Sequence, residues 1–152
     1  MTPGVISERV ALAKLALLNN MLRGIATLPL ASEEAFLADP RMVAAGESFL
    51  RRAIEALLDL GRHILAKGYA EVVPEYANLG PALVGQHVLS VDLGDRLRRM
   101  GGYRNRLVHG YEEIGGAELY RILTGNVADV LEAAEALRAW LAANPDKLDR
   151  RL

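Results

Sequence analysis

The sequence predicts an all-α protein, an antiparallel up-and-down bundle of four to five helices. Three observations carry this. Leucine and alanine dominate a chain that is 51% hydrophobic yet only 5% aromatic, and both residues favour helix over strand. Apolar residues recur at three- and four-residue spacing over long stretches, the period of a helix with one buried face. Cap residues, prolines and glycines mostly fall between those stretches. At 152 residues the chain reads as a single domain over residues 1–152, long enough to bury a core.

The first helix is predicted to open at Thr2-Pro3, a capping threonine before a proline at the first helical position. Val10, Leu15, Leu17, Leu18, Leu22 and Ile25 form its apolar face, and Gly24 and Pro29 punctuate its end. Residues 28–39 read as a connection with one short turn, Ser32 capping Glu33 and Glu34 at the positive helix end. Asp39-Pro40 starts the second long helix. Phe49, Ala53, Leu57, Leu60 and Ile64 share one face of it, Leu50, Ile54 and Leu58 widen that face, and Gly68 is expected to end it. Such wide apolar cover implies several neighbours or a second subunit.

Residues 69–80, with Pro74, read as a loop, and residues 81–88 as a shorter helix. Ser90 or Asp92 caps the next one, whose stripe of Leu93, Leu97 and Met100 continues through Tyr103, Leu107 and Val108. Gly101 and Gly102 interrupt its middle at a cost of about 1 kcal/mol each relative to alanine. That cost signals close approach by another backbone or a ligand, or a local bend. Gly110 is expected to end this helix. One last helix is predicted over residues 117–143, from Leu119 through Val130 to Trp140 and Leu141, with Pro145 stopping it. Residues 144–152 read as a charged tail that frays.

Composition narrows the function. A formal net charge of −1 gives no global sign of a nucleic-acid partner, so any such contact must be local. The absence of cysteine excludes disulfides and thiolate metal sites and suits a reducing cytoplasm, the expected location. No apolar run approaches a membrane span, and no secretory signal is visible. His63, His87 and His109 show no metal-ligand spacing, so neither metal nor cofactor is expected. His63, near the end of its helix, reads as structural.

Chemistry concentrates between Gly102 and Glu113, in G-Y-R-N-R-L-V-H-G-Y-E-E. Arg104 is a permanent cation with a planar donor fork suited to phosphate. His109 can move a proton near neutral pH, and Tyr111 offers a hydroxyl. A cation beside a proton carrier is what phosphodiester chemistry needs without a metal. On an ideal helix Arg104 and His109 lie roughly 140° apart, too far to meet one phosphate. Either the helix ends near His109, or a two-fold dimer supplies facing copies. Arg96, Arg98, Arg99, Arg104 and Arg106 crowd one short segment, a set suited to phosphates and unpaired bases. For Arg96, Arg98 and Arg99 a plain solvated helix face is the favoured explanation.

The string R-N-x-L-V-H-x-Y from Arg104 to Tyr111 resembles the RX4HXY motif of HepT-like toxins in the HEPN superfamily, with all three motif residues intact. The run from Phe49 to Lys67 resembles the second helix of that family, and the resemblance spans roughly residues 5–143. It implies a homodimer with both motifs lining a shared cleft, and a metal-independent endoribonuclease. His109 would then be the general base on a ribose 2′-hydroxyl, and Arg104 would stabilise the charge growing on the phosphoryl oxygens. The products would be a 2′,3′-cyclic phosphate or its opened form and a 5′-hydroxyl, with DNA spared.

The resemblance further implies a partner, an MntA-like minimal nucleotidyltransferase antitoxin that transfers AMP from ATP to the hydroxyl matching Tyr111. A higher assembly with that antitoxin is possible. Asn105 and Arg106 are candidates to bind or orient RNA. HEPN proteins often carry an acidic residue on the second helix facing the motif. Here Glu55 and Asp59 are the candidates, one helical turn apart, with Asp59 slightly preferred and ordinary pairing with Arg51, Arg52 or Arg62 the competing explanation. The alternative function is a non-catalytic dimeric HEPN module that binds or scaffolds the nucleotidyltransferase. An unrelated bundle with a chance motif is the third.

Overall fold

The computed structural model describes residues 5–109 and 114–151. In chain order it holds β1 (Ile6–Ser7), α1 (Glu8–Ala26), α2 (Glu33–Leu37), α3 (Pro40–Tyr69), α4 (Leu79–Gly85), α5 (Val91–Val108), α6 (Gly116–Gly125), α7 (Val127–Ala143) and β2 (Leu148–Asp149). The all-α expectation holds, with seven helices among the described residues. No helix among them is long and apolar enough to cross a membrane.

The helix starts follow the side-chain oxygens. Ser32 accepts from the Ala35 amide, Asp39 from that of Arg41 and Ser90 from that of Leu93, so α2, α3 and α5 begin where the sequence reading placed them. The first helix differs. Ser7 accepts from the Val10 amide and α1 opens at Glu8, five residues after the expected Pro3, and Thr2 and Pro3 lie outside the described residues. Ile6 and Ser7 are instead extended and pair in parallel with Leu148 and Asp149.

The helix ends show where local rules lost to packing. α3 runs through Gly68 to Tyr69, and glycine at position 68 leaves room for Ile6, whose Cδ1 would lie 3.1 Å from a Cβ there. The stop comes at Ala70, in left-handed backbone at φ 52°, with its amide bonded to the Leu65 carbonyl. α4 starts at Leu79 rather than Pro81, which its first turn tolerates because no intrahelical amide is needed there. The expected helix over 117–143 is two helices, broken at Asn126, whose amide caps Ile122 while its carbonyl accepts from Asp129. Within the segment expected to fray, Pro145–Lys147 form a 3-10 turn and Leu148–Asp149 form β2, and Arg150 reaches Glu8 at 2.9 Å.

α3 is the axis. It buries Leu50, Ala53, Ile54, Ala56, Leu57, Leu58, Leu60, Ile64 and Leu65, and packs against α1, α4, α5, α6 and α7. So many buried apolar positions on one helix require neighbours on several sides. α4 and α5 cross backbone to backbone. A Cβ added to Gly80 would fall onto the Gly94 carbonyl oxygen, so glycine is required where the two helices touch.

Candidate functional site

α5 delivers the motif. Leu97, Met100, Gly101 and Leu107 are buried, which fixes the rotation of the helix and leaves Arg98, Gly102, Asn105 and His109 exposed. The helix ends at Val108, and His109 caps it, its amide donating to the Asn105 carbonyl at 3.2 Å. The helix thus ends at His109, as one of the two ways to relieve the 140° separation requires, while His109 itself keeps helical backbone at φ −79° and ψ −2°, and the turn expected at Gly110 lies outside the described residues. Tyr111, Gly110, Glu112 and Glu113 lie outside the described residues.

Arg104 is held on three sides. Its Nε donates to Glu55 Oε1 at 3.2 Å, its Nη1 to Asn105 Oδ1 at 3.3 Å, and its guanidinium carbon lies 4.9 Å from the centroid of the Tyr76 ring. Glu55 Oε1 also accepts from Arg51 Nη1 at 3.0 Å, so one carboxylate ties α3 to two arginines. Arg104 keeps 27% of its side chain exposed, enough to offer its outer edge to a ligand. With Asn105, Arg62, Pro74, Glu75, Tyr76 and Ala77 it lines an open groove.

The two acidic candidates separate here. Glu55, not the preferred Asp59, touches Arg104. Asp59 lies one turn further along α3, accepts from the Tyr76 hydroxyl at 3.0 Å, and pairs with Arg62 at 3.7 Å and Lys14 at 3.8 Å. Burial of Tyr76, then its bond to Asp59, push the phenol above its ordinary pKa. Tyr76 was not singled out by the sequence. Its signal was Gly101, which lies against Tyr76, where a Cβ would come 3.5 Å from the tyrosine Cβ.

The other arginines divide. Arg106 makes a two-armed pair with Glu118, at 2.8 and 2.6 Å, that ties α5 to α6 and holds the Glu118 carboxyl below its ordinary pKa. This pair gives Arg106 a structural contact beside its candidate role at RNA. Arg96 bonds Asp92, Asp129 and Glu132, joining α5 to α7. Arg98 and Arg99 are exposed. His63 serves structure as expected, its Nε2 accepting from the Ser7 amide at 3.1 Å. Among the described residues no cluster of His, Cys, Asp or Glu could hold a metal ion.

The family model for HepT-like ribonucleases matches residues 18–137, most of the chain and all of this site. The chain belongs to the HepT-like ribonuclease family. No curated protein matches its sequence. Solved structures of this fold are similar at low identity. A toxin–antitoxin crystal structure with AMP-PNP aligns with a TM-score of 0.79 and 19% identity, covering 87% of this chain and 99% of that one. A tri-AMPylated HEPN toxin of Shewanella oneidensis, in complex with its MNT antitoxin, aligns with a TM-score of 0.77 and 20% identity, covering 86% and 97%. YutE, a cytosolic Bacillus subtilis protein of unknown function, aligns with a TM-score of 0.77 and 19% identity, covering 92% and 94%. This HepT-like chain thus has the all-α fold of HEPN toxins.

Proposed function

We propose that the chain is a metal-independent endoribonuclease, the toxin of a toxin–antitoxin pair, silenced by adenylylation of Tyr111. One observation carries the catalytic part. Arg104 is braced by Glu55 on the last turns of α5, and that helix stops at an exposed His109. His109, neutral, takes the proton from a ribose 2′-hydroxyl. The oxygen attacks the adjacent phosphorus while Arg104 stabilises charge on the phosphoryl oxygens. The leaving 5′-oxygen takes a proton from water, giving a 2′,3′-cyclic phosphate and a 5′-hydroxyl, and His109 returns its proton to solvent. Two copies of the chain would bring two motifs to one cleft.

The regulatory part rests on the motif and on the similar structures, one a toxin–antitoxin with AMP-PNP and one a tri-AMPylated toxin bound to an MNT antitoxin. A minimal nucleotidyltransferase partner would transfer AMP to the Tyr111 hydroxyl and place a bulky anion beside the site.

The test is RNA cleavage in EDTA by protein shown by intact mass to be unmodified, beside Arg104→Ala and His109→Ala. Cyclic-phosphate ends from wild type and a loss of at least about a hundredfold in both variants are expected. A folded, unmodified dimer that cuts no RNA would overturn the enzyme and leave a binding module for the nucleotidyltransferase. Tyr111→Phe should gain no AMP mass with partner and ATP, and a gain would place the acceptor elsewhere.

A further inference from the structure

An arginine fixed at one edge is not yet fixed. The Nε bond to Glu55 leaves the guanidinium free to swing about the N–O line, and the Asn105 contact at 3.3 Å restrains it weakly. What removes the swing is a surface against the guanidinium plane. Tyr76 supplies it, with the Arg104 guanidinium carbon 4.9 Å from the ring centroid, within cation–π range.

The ring, half-buried at the wall of the groove, is itself held by several partners. Its hydroxyl donates to Asp59 Oδ1 at 3.0 Å. Asp59 is in turn placed by Arg62 and Lys14. The Arg62 guanidinium carbon lies 4.5 Å from the same ring centroid, and Arg62 donates to the carbonyls of Val73 and Pro74 at 3.1 and 2.7 Å. Those two bonds pin the loop onto α3 just before Tyr76, which opens a 3-10 turn, Tyr76–Asn78, inside the stretch expected to be loop. Gly101 of α5 completes the seat beneath the Tyr76 backbone. Tyr76 therefore reaches α5 through rigid contacts, not as a loop tip.

We propose that Tyr76 is a positioning residue for Arg104: its ring, locked by Asp59 and by the Arg62-pinned loop, sets the guanidinium plane that meets the phosphoryl group. This rests on the ribonuclease reading of Arg104. Charge on the phosphoryl oxygens is greatest in the transition state, so a misaligned Arg104 costs turnover more than substrate binding.

The experiment uses the unmodified full chain and has two readouts. The first is steady-state RNA cleavage in EDTA by wild type, Tyr76→Phe and Tyr76→Leu. Leucine should lower kcat about tenfold with KM within about twofold, whereas phenylalanine, which keeps the ring, should stay within about threefold of wild type. The second is the Arg104 Nε–Hε NMR signal, assigned by its loss in Arg104→Lys. It should shift in Tyr76→Leu, where the ring current is gone, and hold in Tyr76→Phe. Wild-type kcat in Tyr76→Leu, a loss carried by KM, or a phenylalanine variant as poor as leucine would each overturn the proposal.

Should wild type cut no RNA, the ribonuclease reading fails on its own. An Arg104 signal unmoved in Tyr76→Leu then removes the positioning role as well. Should Tyr76→Leu not fold, Tyr76→Met replaces it. Methionine fills the space without a ring and should both shift the Arg104 signal and lower kcat, and no change in either overturns the proposal.

Discussion

At the scale of single residues, His63 shows how one uncharged ring can hold a chain terminus. Its Nε2 accepts the Ser7 amide, so the ring must be neutral with its proton on Nδ1. Burial first, then the Lys67 cation and to a lesser extent Lys14, press its pKa below the ordinary 6.5. The unfolded chain regains the ordinary value, so it binds the proton more readily than the folded one. The stability due to neutral His63 is complete above about pH 6.5 and is lost as pH falls below it. Urea midpoints should therefore drop more for wild type than for His63→Gln between about pH 7.5 and about pH 5.5. Equal drops would mean that the ring titrates alike in both states. Glu55 carries a different lesson. Its spacing from Asp59 put both acids on one helix face, and only the fold could say which meets α5, because that depends on the loop carrying Tyr76.

At the scale of elements, the packing of α4 on α5 makes the sharpest stability prediction. The atom that a methyl at position 80 would strike is a backbone oxygen, which cannot turn aside. Gly80→Ala should destabilise the protein by about 1–3 kcal/mol or more in urea unfolding. Gly85→Ala, with nothing within 4 Å of its new methyl, should be neutral or gain up to about 1 kcal/mol. A tolerated Gly80→Ala would mean that the two helices sit further apart. The same elements mark what was legible in the chain. Ser32, Asp39 and Ser90 announced their helices because a cap is a local event, settled within three residues. The passage through Gly68 was not legible, since Ile6, some sixty residues earlier, packs against it. The break at Asn126 had a local signal in Gly125-Asn126, masked by an apolar stripe that runs on across it. The motif was legible as letters, whereas the ring behind Arg104 was not, because α3, α5 and the loop meet only in the fold.

At the scale of the whole molecule, β1 and β2 bring the two ends of the described chain side by side, Ile6 opposite Leu148 and Ser7 opposite Asp149. Ile6 is fully buried, although it lies before the first helix. Removing residues 148–152 should cost about 1–2 kcal/mol through lost strand bonds and the cover given by Leu148. RNA cleavage should survive the truncation, because Arg104 and His109 draw no described contact from the tail. Loss of cleavage at full stability would instead tie the tail to the site. The Arg150–Glu8 pair joins residues 142 positions apart, so this small seam closes nearly the whole chain into a loop. Ring closure of that span gains nothing until the helices between have condensed, and its entropy must be met by very few bonds. The seam should be the last part of the protein to form and the first to open. Its amides should exchange with solvent deuterium well ahead of those in α3, before any helix unwinds.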